Sequence, residues 1–566
     1  MRTLTLLVAI ALTPVTAAAQ AGTEFTRADT LRGSNTHERA WWDAEFHDLH
    51  VRVNPADSSI RGRNTIVYRA LEPTAAAVRA AGAVMQIDLQ QPLVVDSMVQ
   101  GGERLQYRRD GNAFFVTIPQ APRAGDTASV TVYYHGSYRH PGAAPGGGAD
   151  RRRSGPFHWS TDSTGAPWIA TSNEGPGAST WWPLKDLPAD EPDSQRIAIT
   201  VPDPMINVSN GRLRSTTENP DGTTTYEWFV ANPINSYNVA INANASYVPI
   251  RGEYQGEQGP LTIEFWALSP HRAKAEALMP QVKTVLACQE SWFGPYPWYA
   301  DGYKLIEVPY LGMEHQSGIA YGNRYLPGYL GRDLSGTGEG LTWDYIIVHE
   351  TAHEWWGNNI SAADHADMWI HEAFGTYAEA LHLECTKDRA AGERYLVGMR
   401  KMIQNTEPII GAYGVHHVPR SQDRYPKGAN MLMTVRAVVN DDAKWRATLR
   451  GLNEEFRHQT VTGDEIRDYM TAATGVGLSK IFEQYLETIR VPVLEYRGDG
   501  DRLAYRWTNV VPGFEMPVEV GAGNTSLRLN PTTHWQTTRS ALGRTGELRA
   551  LPAYYVIVQS VALAGE

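Results

Sequence analysis

Cysteine is scarce in this chain: there are two, Cys288 and Cys385, among 566 residues. A fold stapled by a disulfide framework is therefore excluded. Both cysteines fall in segments that read as helical. A single disulfide is open to them in an oxidising compartment, while two buried free thiols are the expectation. Positive charge is also in deficit. Lys and Arg number 51 against 62 Asp and Glu, a net charge of -11, which argues against a nucleic-acid partner. The one basic run, Arg151-Arg152-Arg153, adjoins the Gly-rich stretch Gly142 to Gly148 and reads as a solvated loop. Low-complexity tracts and repeats at a solenoid period are missing, which excludes large-scale disorder and repeat arrays. Beyond the amino terminus no segment is long and apolar enough for a membrane helix, so no stable membrane insertion is expected.

What is present is a large apolar content. Hydrophobic residues make up 42% of the chain, with 17 Trp and 27 Tyr, enough for two to four domain cores. Residues 1–19 read as an export leader: Arg2, an apolar stretch from Leu4 to Leu12, and the small residues Ala17-Ala18-Ala19 before Gln20. The protein is thus expected to be exported, to the periplasm or the cell exterior. Residues 20–249 read as an antiparallel β domain. His47 to Val53, Arg61 to Tyr68 and Ser129 to Tyr134 alternate polar and apolar residues, with turns such as Asp110-Gly111-Asn112 between runs. The period changes near residue 271, and His271 to Phe293 is helical in pattern up to Gly294-Pro295. Further helices are expected over Leu341–Trp356, Trp369–Cys385, Gly428–Val439 and Lys444–Phe456. Thr462 with Glu465 forms a capping box for one more. A mostly helical domain is placed at 250–488 and a small C-terminal β-sandwich at 489–566. The fold class is α+β, multidomain.

The strongest chemical signal is His349-Glu350-Thr351-Ala352-His353. Residues four apart share a helix face, so two imidazoles there meet one metal ion while the intervening Glu reaches a water on it. Glu372, in Trp369-Ile370-His371-Glu372-Ala373-Phe374, sits where a second helix would return it to the first. Two His and one Glu leave a fourth position open, the pattern of a catalytic zinc site, with one Zn2+ expected per chain. Zinc acidifies its water; Glu350 is the residue to take that proton and pass it to a leaving amine. Thr376 and Glu379, four and seven residues beyond Glu372, lie on its face and are candidates to orient a zinc-bound imidazole.

These segments resemble the gluzincin family of aminopeptidase N and leukotriene A hydrolase over most of residues 35–490. Phe293-Gly294-Pro295-Tyr296-Pro297-Trp298 is similar to that family's helix-ending turn, Leu311-Gly312-Met313-Glu314-His315 to its exopeptidase motif, and Tyr425-Pro426-Lys427-Gly428 to the segment with its catalytic tyrosine. The resemblance implies an N-terminal antiparallel β-sheet saddle, a thermolysin-like catalytic domain and a small C-terminal β-sandwich. It implies that Glu314 binds the free α-ammonium of a peptide, with Glu174 of Ser172-Asn173-Glu174 as second anchor. Tyr425 is implied to donate to the oxyanion, and backbone amides at Gly312 and Met313 to bind substrate.

Two departures from the family pattern stand out. His315 replaces the usual Asn, which carries an expectation of pH-sensitive charge beside the site. The chain also has no room for the family's large helical C-terminal domain, so a more open cleft is expected. The expected reaction is hydrolysis of the first peptide bond of peptides with a free amino terminus. A thermolysin-type endopeptidase, an epoxide hydrolase on the same zinc site and a non-catalytic peptide-binding protein are the rivals.

Overall fold

The computed structural model describes residues 25–71, 83–137, 156–417, 420–544 and 547–561. The leader read over residues 1–19, the Gly142 to Gly148 stretch and Arg151-Arg152-Arg153 lie outside the described residues. No helix among the described residues is long and apolar enough to cross a membrane.

The alternating runs become an eight-stranded sheet. Its spatial order is Arg212–Asn219, Thr223–Val230, Ser194–Pro202, Trp42–Asn54, Ser59–Ala70, Thr127–Ser137, Val94–Gln100, Glu103–Arg104. In Trp42–Asn54, Leu49, Val51 and Val53 are buried while Arg52 and Asn54 face solvent, the period-two division of an apolar and a wet face. Every pairing in this sheet is antiparallel except one: Trp42–Asn54 runs parallel to Ser194–Pro202. A parallel pair needs a long crossover, and here most of the domain lies between the two strands. A four-stranded sheet follows, in which Pro167–Thr171 leads directly into Glu174.

A five-stranded sheet opens the next unit, ordered Tyr247–Gly256, Gly259–Leu268, Tyr303–Glu307, Ile319–Tyr321 and, at its edge, Gly312–Met313. Helices pack beside it. We number as α1 a short N-terminal helix, Arg27–Gly33; then come α2 (Arg272–Phe293), α3 (Tyr345–Ala352), α4 (Trp369–Thr386), α5 (Arg389–Met399), α6 (Pro426–Val439), α7 (Asp442–Glu455) and α8 (Gly463–Thr474). Thr462 and Glu465 cap α8 reciprocally. The helix expected over Leu341–Trp356 is shorter than its pattern. Asp344 caps its start by accepting from the amides of Ile346 and Ile347 at 3.0 and 3.2 Å, and Gly357, at φ +125°, turns the chain away after it. His353 is the C-cap residue but keeps right-handed helical geometry, φ −66° and ψ −17°, so the four-residue spacing to His349 survives.

The expectation of two free thiols is overturned: Cys288 on α2 is disulfide-bonded to Cys385 on α4. Their Cα atoms are 5.9 Å apart although 97 residues separate them, a proximity only the packed helices create.

After residue 492 the chain returns to strands. One sheet is ordered Gln536–Arg539, Arg502–Thr508, Val493–Asp499, Ile557–Ser560, and a second Thr525–Leu529, Val518–Ala522, Arg549–Ala550. Leu494, Leu503, Trp507, Val518 and Val520 are buried in one apolar core shared with the helices. The Arg528 Nη2 donates to Val438 O at 2.6 Å at the end of α6. This β unit is therefore a buttress of the catalytic helices.

The N-terminal helix forms a strap across two distant segments. Arg32 Nη2 donates to Gly175 O at 2.9 Å, His416 N to Asp29 O at 2.9 Å, and Ser34 Oγ to Gly414 O at 2.6 Å. At Gly33 a Cβ atom would meet the Val415 backbone at 2.1 Å, so only glycine permits this close approach.

Candidate metal centre and peptide site

The two imidazoles of α3 and the carboxylate of α4 converge. His349 Nε2 lies 3.3 Å from His353 Nε2, and Glu372 Oε2 lies 3.5 and 3.6 Å from them. A tetrahedral zinc ion with bonds of about 2.1 Å separates its ligand atoms by about 3.4 Å, so the triangle has the right size. Glu372 Oε2 is buried without a hydrogen-bond partner, an orphan that a cation would satisfy. Burial by itself opposes charge on Glu372, but His349, His353 and Arg424 outweigh it and hold the carboxyl below its ordinary range. The donor set is thus two imidazoles and one anion.

Each imidazole is oriented from behind. His349 Nδ1 lies 2.7 Å from Glu379 Oε1, and His353 Nδ1 lies 2.8 Å from Trp356 O. Carboxylate and carbonyl oxygens only accept, so both Nδ1 atoms carry the proton and both Nε2 lone pairs face the metal position. Glu379 is fully buried, and its other oxygen accepts from the Tyr395 hydroxyl at 2.5 Å. Thr376 is buried on the same helix, but its hydroxyl has no partner and orients neither ring.

A pair of carboxylates adjoins the triad. Glu314, Glu350 and His353 bring ligand atoms within 4.8 Å of one another. Glu350 lies under the Gly312–Met313 edge strand: a Cβ at Gly312 would come 2.9 Å from Glu350 Oε1. Glycine therefore keeps open the space around the proposed base. An unpaired strand edge is a template for an extended peptide. Glu314 accepts from the Tyr237 hydroxyl at 3.1 Å, and its backbone carbonyl accepts from Asn358 Nδ2 at 3.0 Å. Burial, and then the nearby Glu174 carboxylate, push Glu314 up to about 8. A paired ammonium ion would reverse that shift.

Tyr425, the residue before α6, reaches the triad as well, but its hydroxyl donates to Glu372 Oε1. The chain's own carboxylate holds the proton that the resemblance assigns to an oxyanion. Glu174 stands beside a cavity of about 440 Å³ that Tyr425 also lines. His315 does not behave as expected. Its ring is fully buried and both nitrogens lack partners. Burial pushes it down to about 3, so it carries no charge at physiological pH. Tyr237, Asn358, Tyr395 and Arg424 were not singled out from the sequence. Arg424, next to Tyr425, was in plain view there; the other three come from distant segments with no local signature.

Residues 277–485 match the Peptidase family M1 domain, and residues 43–238 match the Peptidase M1 N-terminal domain. The chain belongs to peptidase family M1. Its sequence is 23% identical over 379 residues to human aminopeptidase B, covering 63% of this chain and 52% of that protein. It is 23% identical over 253 residues to a probable aminopeptidase 1 of Sulfurisphaera tokodaii, covering 42% and 32%. The chain thus spans about half the length, or less, of these curated M1 relatives. Among solved structures, a mutant M1 zinc metallopeptidase from Deinococcus radiodurans, crystallised with a Tyr-Ser-Ala substrate, superposes with a TM-score of 0.65. The match is 20% identical and covers 80% of this chain and 96% of that one. It supports the M1 arrangement of a β-sheet domain, a helical catalytic domain and a C-terminal domain.

Proposed function

We propose that this M1 chain is an exported zinc aminopeptidase, with one ion per chain, that removes the first residue of peptides with a free amino terminus. The observation that carries the reading is Glu314: a buried carboxylate beside the triad but outside it, facing Glu350 and His353. Such a group has no use for a neutral backbone and pairs well with an ammonium ion, which fixes the substrate's register. His349, His353 and Glu372 would hold the zinc, which supplies Lewis acidity toward a carbonyl and a water.

The remaining work falls to the chain's own residues. The Glu350 carboxylate takes a proton from the attacking water and returns it to the leaving amine nitrogen. Glu314, with Glu174, holds the substrate's ammonium group. Tyr425, released from Glu372, offers its O–H to the developing oxyanion, a donor of the kind that contributes about 3 to 4 kcal/mol. The Gly312–Met313 edge aligns the peptide backbone. The leader-like residues 1–19 support an exported location.

The test is hydrolysis of aminoacyl-coumarin substrates beside their N-acetylated counterparts, with and without a chelator, and with Glu314→Ala. Chelator-sensitive cleavage of the free-amine substrates alone, weakened in Glu314→Ala, is expected. Equal cleavage of the acetylated partners would sink the amine anchor and leave an endopeptidase. Turnover of lipid epoxides without turnover of peptides would move the assignment to the epoxide hydrolase.

A further inference from the structure

The N-terminal β domain reaches across to the segment that carries Glu314. Asn210 Nδ2 donates to Gln316 O at 2.7 Å, Gln316 Nε2 to Pro233 O at 2.8 Å, and Gly211 N to Ser317 Oγ at 2.9 Å. Glu314 itself is held through its side chain and its backbone by one short turn, Ser236–Asn238. The Tyr237 hydroxyl donates to its carboxylate at 3.1 Å. Asn238 Nδ2 donates to Asn358 Oδ1 at 2.7 Å, and Asn358 Nδ2 carries the link on to Glu314 O at 3.0 Å. The turn is pinned in its own right: Asn235 Oδ1 accepts from Tyr237 N at 3.3 Å, and Asn238 O accepts from Asn210 Nδ2 at 2.9 Å.

The backbone links seat the segment, whereas the Tyr237 bond acts on the charged group. Besides being buried, Glu314 stands among the carboxylates of Glu174, Glu372 and Glu350, which repel its charge. A donor on one carboxylate oxygen fixes the plane of the group against that repulsion. A carboxylate has acceptor capacity for several donors, so room remains for an ammonium ion. The donor's chemistry matters as much as its place. A lysine or arginine there would hold Glu314 by neutralising it and would compete with the substrate's amine. A phenol holds it and leaves the charge in place. Burial, and then the charges of Glu314 and Glu174, push the Tyr237 hydroxyl well above its ordinary range, so it remains a donor at every working pH.

We propose that Tyr237 is a positioning residue for amine recognition, aiming the Glu314 carboxylate at the substrate's ammonium group without consuming its charge. The N-terminal domain is then a working part of the peptide site. The proposal rests on the aminopeptidase reading and deepens it, because Tyr237 acts through Glu314.

The experiment measures, by calorimetry, the Kd of L-leucine hydroxamate and of 4-methylpentanoyl hydroxamate, which lacks only the amine. The proteins are zinc-loaded wild type, Tyr237→Phe, Glu314→Gln and the double variant. Both probes carry the same metal-binding group, so the ratio of their Kd values reads the ammonium contact, and binding of the des-amino probe shows that each variant's site is intact. The wild type is expected to favour the amine probe, and Tyr237→Phe to cut that preference about tenfold, the scale of one hydrogen bond to a charged group. In the Glu314→Gln background the same change should cost nothing further, because a residue acting through another loses its effect once the other is gone. A tyrosine that only supported the fold would weaken both probes together; an unchanged ratio in Tyr237→Phe would therefore overturn the proposal and leave the aminopeptidase reading standing. A full additional loss in the double variant would also overturn it. Equal binding of the two probes by the wild type would discard the amine anchor and this proposal with it.

Discussion

Replacing Glu379 by Gln tests whether the site is built from behind as well as from its ligands. The carboxylate is fully buried, 2.7 Å from His349 Nδ1, and takes the Tyr395 hydroxyl on its other oxygen. Gln preserves shape, and its amide oxygen still accepts from Nδ1–H. What is lost is the negative charge that makes the imidazole a stronger donor to zinc. A hydrogen bond to an ionised group contributes about 1.5 to 3 kcal/mol against about 1 for a neutral one. The difference, about 0.5 to 2 kcal/mol, weakens zinc binding by a factor of roughly 2 to 30. That range overlaps the roughly 10- to 100-fold losses usual when a group behind a metal ligand is removed. Glu379→Ala deletes the acceptor and should lie at the upper end. The assay is zinc affinity by competition with a fluorescent chelator, at constant pH, on variants whose thermal unfolding shows them folded. Wild-type affinity in both Glu379→Gln and Glu379→Ala would refute the argument that this carboxylate sets the basicity of His349.

Two further predictions concern stability. Burial pushes His315 down to about 3 from an ordinary value of about 6.5. Folding therefore favours the neutral ring, so stability is intact above about pH 6.5 and drains away as pH falls toward 3, by about 2 kcal/mol at pH 5. His315→Asn is expected to take up about one proton fewer on unfolding at pH 5, read from urea midpoints across pH 5–7; an unchanged pH dependence would contradict it. The Cys288–Cys385 bond closes a loop of 97 residues, for which chain entropy assigns about 4.7 kcal/mol. The double variant Cys288→Ser/Cys385→Ser should unfold at clearly lower urea yet bind zinc normally where it is folded, and an unchanged midpoint would count against the loop-closure account.

The clustering of His349, His353 and Glu372 was legible because its logic is local. A four-residue spacing puts His349 and His353 on one face, whatever the tertiary structure, and Glu372 needed only a second helix crossing the first. Glu379 was one of two candidates on that helix. The choice between it and Thr376 depended on how α3 and α4 pack, which no spacing reveals. The same limit explains the cysteines, whose closeness exists only once α2 lies on α4, and the one parallel strand pair, whose partner lies far along the chain. His315 misled for a related reason: its residue type suggested a titrating group, whereas the surrounding protein, invisible in a five-residue motif, removes the water that a charged ring needs. Tyr237 and Asn358 support Glu314 from distant segments and left no pattern to read.

The strap formed by α1 also sets an order of assembly. Arg32 meets His416 across 384 residues of intervening chain, while also holding Gly175 beside Glu174. Closing so long a loop is favourable only when both seats are already formed. A chain made from its amino end therefore presents the clasp first and its furthest seat 384 positions later. Until residues 414–416 fold, Gly175 beside Glu174 has Arg32 but not His416 to hold it, so the strap closes only after both ends of this long loop are in place.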